Sequence, residues 1–133
     1  MTPTADGLAD RFLRAVEQGD IDTVRDTVYT PETVIWHNTD NREIGPEENF
    51  RVLRWLTGVL PDMRYEEVRR RETPDGYVQQ HVLRGTVPDG TAIEIRACFV
   101  VTLRGDRIVR LDEYLDTAAG RPLDPYRPTS PSA

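Results

Sequence analysis

Cysteine is almost missing from this chain: Cys98 stands alone. That excludes an internal disulfide and any multi-cysteine metal site. Cys98 lies in the run Ala97-Cys98-Phe99-Val100-Val101 and reads as a small buried apolar residue of a strand. Histidine is nearly as scarce. There are two, His37 and His81, and with the acids they show no ligand spacing, so no metal site is expected. No apolar run approaches the length that crosses a bilayer. The first residues, Met1 to Asp6, bring no positive charge before an apolar stretch, so a signal peptide is not expected and the expected location is cytoplasmic. An excess of basic charge is also lacking: 17 Lys and Arg face 23 Asp and Glu, a net charge of -6. A nucleic-acid surface would be basic and clustered. The basic run Arg69-Arg70-Arg71 sits among Glu66, Glu67 and Glu72 and is expected to be a solvated strand edge. No Gly-rich phosphate loop and no Gly-x-Ser-x-Gly elbow occur, so nucleotide binding and serine-hydrolase chemistry have no support, and no cofactor is expected.

What is present fits one soluble domain. The chain has 133 residues, 38% hydrophobic and 30% charged, enough for a single core and a modest internal cavity. Leu8, Phe12 and Val16 recur at helical spacing, with Ala5, Ala9 and Leu13 one row over, and Gly19 stops the helix. Asp20 caps a second, shorter helix carrying Ile21, Val24 and Val28, which Pro31 cannot prolong. Thr33 to His37 is β-branched and aromatic, hence a strand, and Asn38 to Arg42 is a polar loop. Gly45-Pro46-Glu47-Glu48 opens a third helix, with Pro at its first position and acids where the macrodipole favours them. Its apolar stripe, Phe50, Leu53, Leu56 and Leu60, is widened by Val52, Trp55 and Val59, so much of its circumference is covered.

The second half is strand signal. Met63–Glu72, Tyr77–Thr86, Thr91–Leu103 and a last strand after Gly105-Asp106 are joined by short turns into an antiparallel meander. Helices followed by a sheet indicate α+β, and the long third strand suggests a strongly curved sheet whose cone the helices either fill or leave partly hollow. The domain is expected to span residues 1–117. The stretch 118–133, with Pro122, Pro125, Pro128 and Pro131, is expected to be an extended or disordered arm.

The last strand carries the chemical signal. Alternation puts Val109, Leu111, Glu113 and Leu115 on one face and Ile108, Arg110, Asp112, Tyr114 and Asp116 on the other. Glu113 is the single carboxyl on an otherwise apolar face. A carboxyl there either loses its charge or finds a partner. It is a candidate for pocket chemistry, or it meets an Arg of a neighbouring strand and only holds the sheet.

Three stretches and one residue carry a resemblance: Arg11 to Asp20, Val34-Ile35-Trp36-His37-Asn38, Gly45 opening the third helix, and Gly105 to Asp116. Over Leu8 to Asp116 the chain resembles the nuclear transport factor 2-like superfamily and, within it, the SnoaL-like proteins. The resemblance implies a cone-shaped, curved antiparallel sheet wrapped around three N-terminal helices. It also implies a small hydrophobic ligand, polyketide-like or otherwise carbonyl-containing, and a homodimer paired through the outer sheet face, where Arg69, Arg71, Glu94 and Arg96 mix charges. The superfold hosts isomerases, cyclases, hydrolases and non-catalytic binding domains.

Ketosteroid isomerases of the fold use a helix Tyr, a neutral Asp and a carboxylate base. The matching positions here are Phe12, the neighbourhood of Ala97, and Trp36 or His37, so that machinery is absent. Cyclases and epoxide hydrolases of the fold place an acid-base Asp three residues before a closing Asp, and counting back from Asp116 gives Glu113. Glu113, His37 and His81 are the candidate acid-base residues. Trp36, Asn38, Phe12, Trp55 and Phe99 are the candidate substrate contacts. The alternative is a non-catalytic ligand-binding or dimerisation module.

Overall fold

The structure, a computed structural model, describes residues 5–128. Three helices come first. α1, Ala5–Glu17, buries Leu8, Ala9, Phe12, Leu13, Ala15 and Val16. Gly19, at φ +68°, makes the left-handed turn after it that a side chain resists. Asp20 then caps α2, Ile21–Thr23, accepting from the Thr23 amide at 3.2 Å. The second half of the expected short helix, Val24–Val28, winds as a π-helical turn that keeps Val24 and Val28 buried. α3, Pro46–Val59, starts at its proline and buries Asn49, Phe50 and Leu53.

Six strands form an unclosed mixed sheet in the order β2-β1-β6-β5-β4-β3. β1 is Tyr29–His37, β2 Arg42–Ile44, β3 Arg64–Thr73, β4 Gly76–Thr86, β5 Ala92–Arg104 and β6 Arg107–Leu115. β3 to β6 form the expected meander. β2 begins at Arg42, the last residue of the expected polar loop, and is a strand that the sequence reading does not include. The expectation of a wholly antiparallel sheet is corrected at one pair: β1 and β6 run parallel. No hairpin joins them, and the intervening chain returns β6 alongside β1 in the same sense. Pro31, which cannot donate to a ladder, falls where the β1–β6 register shifts. There Thr33 Oγ1 donates to the Ile108 carbonyl at 2.6 Å and accepts from the Thr30 amide at 2.8 Å.

The sheet curls around the helices, with α3 over β1 and α1 over β3. Between them lies an aromatic core. Phe12 meets Tyr29 at 5.7 Å and Phe99 at 6.0 Å, and Phe50 stacks on Tyr29 at 5.7 Å. The Tyr29 hydroxyl donates to Asn49 Oδ1 at 2.8 Å and ties β1 to α3. Such a bond nets about 1 kcal/mol, but a buried amide left without its partner costs ~1–3 kcal/mol.

Two sequence expectations fail in informative ways. The β5–β6 register shifts between Thr102 and Leu103, so Val109 bulges. Ile108, assigned by strict alternation to the polar face, is fully buried. Residues 118–126 do not form a shapeless arm but a 3₁₀-helix, Ala118–Tyr126, with Gly120 and Leu123 buried. The prolines fit because a 3₁₀ turn uses few amide donors, and the Asp116 carboxylate accepts from the Ala118 and Ala119 amides at 3.1 and 3.3 Å. Of the expected arm, residues 129–133 lie outside the described residues.

Candidate functional site

Register places the polar groups of the inner, helix-facing side in rows. Gln79 on β4, Phe99 on β5, Glu113 on β6 and His37 on β1 form one row. His81, Ala97 and Leu115 form the next. Glu113 therefore projects inward, and its neighbour across the parallel pair is His37.

Glu113 Oε1 stands 3.0 Å from His37 Nε2, and the two side chains are 20 % and 19 % exposed. The partner of the acid is thus an imidazole, not an Arg of a neighbouring strand. Burial opposes charge on His37. The hydrogen bond and charge of Glu113, with the charge of Asp40, outweigh that burial and hold the His37 pKa above its ordinary value. The Tyr29 and Tyr65 hydroxyls have raised pKa values, chiefly through burial and further through the Glu113 charge.

His81 is 3 % exposed, and its ring packs edge-on against Tyr65 at 5.0 Å and Phe99 at 4.6 Å. Its Nδ1 lies 2.8 Å from Gln79 Nε2. Gln79 Oε1 accepts from Arg70 Nε at 2.9 Å. Arg70 Nη1 in turn donates to Asp6 at 3.1 Å and Asp10 at 3.0 Å on α1. The Arg70 side chain is 9 % exposed, so the middle of the basic run is not solvated as its acidic neighbours implied. Burial and the Arg70 charge depress the His81 pKa, and Glu113 opposes them. Sequence reasoning passed over Arg70 and Gln79. The signal for Gln79 was available, because alternation puts Tyr77, Gln79, His81 and Leu83 on one face of β4.

The remaining expected site residues are distributed differently from expectation. Phe12 and Phe99 are buried core rings beside His81 and Tyr29. Trp36 pairs with Asp112, on the outer face, where it packs edge-on against Tyr114 at 5.1 Å and donates to Asn41 Oδ1 at 2.9 Å. Adjacent strand residues point to opposite faces, so flanking His37 turned Trp36 away from Glu113. Trp55 donates to the Tyr126 carbonyl at 2.6 Å and lies under Arg127, and so anchors the C-terminal 3₁₀-helix. Asn38 accepts from the Leu115 amide at 3.0 Å and donates to the Leu115 carbonyl at 3.2 Å, so its side chain extends the β1–β6 ladder. Among the described residues no cluster of three or more His, Cys, Asp or Glu is arranged to hold a metal ion, and no helix is long and apolar enough to cross a membrane.

A cleft of about 830 Å³ is lined by strand residues that include Val68, Gln80, Val82, Arg96, Cys98 and Tyr114, with Asn38 at one end. No residue of α1 to α3 lines it, and neither Glu113 nor His37 does. Gln80, Val82, Arg96, Cys98 and Tyr114 give it to the outer face of the sheet, and His81, Ala97 and Leu115 of the inner row also border it.

Residues 9–111 match the family model of the SnoaL-like domain. This chain belongs to the SnoaL-like domain family. No curated protein matches the sequence of this SnoaL-like domain. Solved structures share its fold. A candidate polyketide cyclase from Streptomyces antibioticus, IdmH, superposes with a TM-score of 0.78 at 21% identity, covering 88% of this chain and 95% of that one. A candidate SnoaL-like polyketide cyclase from Shewanella putrefaciens gives 0.77 at 14% identity, covering 95% and 88%. A candidate isomerase from Bacillus subtilis gives 0.77 at 13% identity, covering 92% and 94%. At these identities the likeness is one of fold. The SnoaL-like domain shares with them its curved, unclosed sheet over N-terminal helices.

Proposed function

We propose that this SnoaL-like domain binds an apolar, carbonyl-containing small molecule, polyketide-like in character, on the inner side of its sheet and moves a proton on it without a cofactor. Glu113 and His37 are the acid-base pair. The observation that carries this reading is the 3.0 Å contact between Glu113 Oε1 and His37 Nε2, made in register across two strands by side chains that keep about a fifth of their surface open. The carboxylate orients the imidazole through Nε2 and steadies its charged form, which leaves Nδ1 to exchange a proton with a ligand. His81 is the third polar group of the same side. The resemblance puts the Tyr and neutral-Asp positions of ketosteroid isomerases at Phe12 and near Ala97, and neither residue has a hydroxyl or carboxyl to donate, so steroid isomerisation by that oxyanion hole is not what we propose. In this reading the protein is cytoplasmic and homodimeric, with neither nucleic acid nor membrane as a partner.

The test is turnover against a panel of polyketide, terpenoid and steroid-like ketones. Glu113→Gln is expected to lower kcat by about 10²- to 10⁴-fold and leave ligand affinity within about twofold. Turnover unchanged in Glu113→Gln removes the pair from the mechanism.

The packing of Phe12, Tyr29, Phe50 and Phe99 in the cone, together with the outer-face cleft, favours one rival: a binding or dimerisation module with no chemistry. Under it the panel is bound or ignored but never converted.

A further inference from the structure

The hydrogen-bond directions around His81 permit one assignment. A guanidinium only donates, so the Gln79 atom 2.9 Å from Arg70 Nε is the amide oxygen. The Gln79 amide nitrogen therefore faces His81 Nδ1 at 2.8 Å, and an amide nitrogen only donates. Nδ1 must then carry a lone pair and no proton. The ring is neutral with its proton on Nε2. Arg70 cannot turn away to release Gln79, because Asp6 and Asp10 of α1 hold its other end. The lowered pKa of His81 agrees with a ring kept neutral.

Nε2–H is the far end of this relay. It is buried and has no acceptor among the described residues. It lies on the same sheet face as Glu113, one row on, and the residue opposite His81 on β5 is Ala97, which adds only a methyl group there. We infer that the relay from Asp6 and Asp10 through Arg70 and Gln79 fixes His81 as a neutral Nε2–H donor, and that this donor receives the carbonyl oxygen of the ligand. When the acid-base pair withdraws a proton from carbon beside that carbonyl, the C–H electron pair moves into the carbon–carbon bond and negative charge gathers on oxygen. A neutral imidazole N–H there stabilises the oxyanion. The inference rests on the reading of Glu113 and His37 given above and names the group that completes it.

The probe is 1-tetralone labelled with ¹³C at its carbonyl. Ring ¹⁵N spectra of the free protein are expected to show His81 protonated at Nε2 and bare at Nδ1 at neutral pH. Bound tetralone is expected to show its carbonyl stretch at lower wavenumber than in an apolar solvent. His81→Phe keeps the ring packing, removes that displacement and weakens binding about tenfold. Gln79→Glu still accepts from Arg70 but sets an acceptor against Nδ1, so Nδ1 takes up a proton. This variant guards against a folding defect in His81→Phe. A ring found protonated at Nδ1 in the wild type, or tetralone bound with an unshifted carbonyl, overturns the inference alone. Glu113→Gln distinguishes the two proposals: it lowers turnover by about 10²- to 10⁴-fold while the tautomer and the carbonyl displacement persist. Failure of tetralone to bind overturns the inference, while the reading of Glu113 and His37 stands or falls on the panel.

Discussion

Protonated His37 beside Glu113 is a pairing that exists only in the folded chain, so it writes a pH dependence into stability. The folded pKa of His37 is raised above its ordinary 6.5. Its contribution is complete below that ordinary value and is lost as pH rises through the folded value. The margin in melting temperature of the wild type over His37→Gln should therefore shrink as pH is raised from below 6.5 through the folded value, as read by circular dichroism at a series of pH values. Parallel wild-type and variant curves would refute the coupling. Glu113 itself was legible in the sequence, because alternation isolates a single acid on an apolar face. Its partner was legible only as one of two histidines, His37 or His81. Residues 37 and 113 meet only through a parallel pairing, and no local pattern announces which distant strands will lie side by side. Trp36 was misplaced for the converse reason, since proximity in sequence to His37 means the opposite face of a strand.

At the scale of elements, periodicity found the three helices and the four-strand meander, and their ends moved by one or two residues. The misses lie where regular spacing breaks. The Val109 bulge reverses the inward phase of β6, and the π-turn Val24–Val28 sits inside what reads as a plain helix. Composition also misled: four prolines within 118–133 argue against regular structure, yet two of them sit inside a 3₁₀-helix. The turn into β4 shows how a close approach constrains an element. A Cβ placed on Gly76 would stand 1.8 Å from the Val101 carbonyl oxygen, which is backbone and cannot swing aside. Gly76→Ala must part β4 from β5 at that end, and its expected cost is about 3 kcal/mol or more, measured by urea unfolding. A variant within about 0.5 kcal/mol of wild type would mean that the turn re-forms without strain.

The whole molecule separates its two polar surfaces by a sheet one residue thick. The inner side holds Glu113, His37 and the His81 relay. The outer side holds the large hydrophobics left most exposed, Val68 at 38 %, Val100 at 39 % and Tyr114 at 50 %. Arg96 and Glu94 pair there at 2.7 Å, and Arg84 meets Glu67 at 2.6 Å. Apolar groups ringed by charges of both signs suit a two-fold contact, because each copy offers the other its complement. A stable contact covers about 800 Å² per partner, and one Arg in its centre is enough to oppose it. The wild type is therefore expected to sediment as a dimer and Tyr114→Arg as a monomer. A wild type that sediments only as a monomer rejects the pairing. Tyr114 and Glu113 are neighbours in sequence on opposite faces, so the two substitutions form a matched pair: Glu113→Gln should silence chemistry and leave the dimer, and Tyr114→Arg should do the reverse. If Tyr114→Arg also silences chemistry, the active arrangement depends on the second copy, and the sheet transmits what happens on one face to the other.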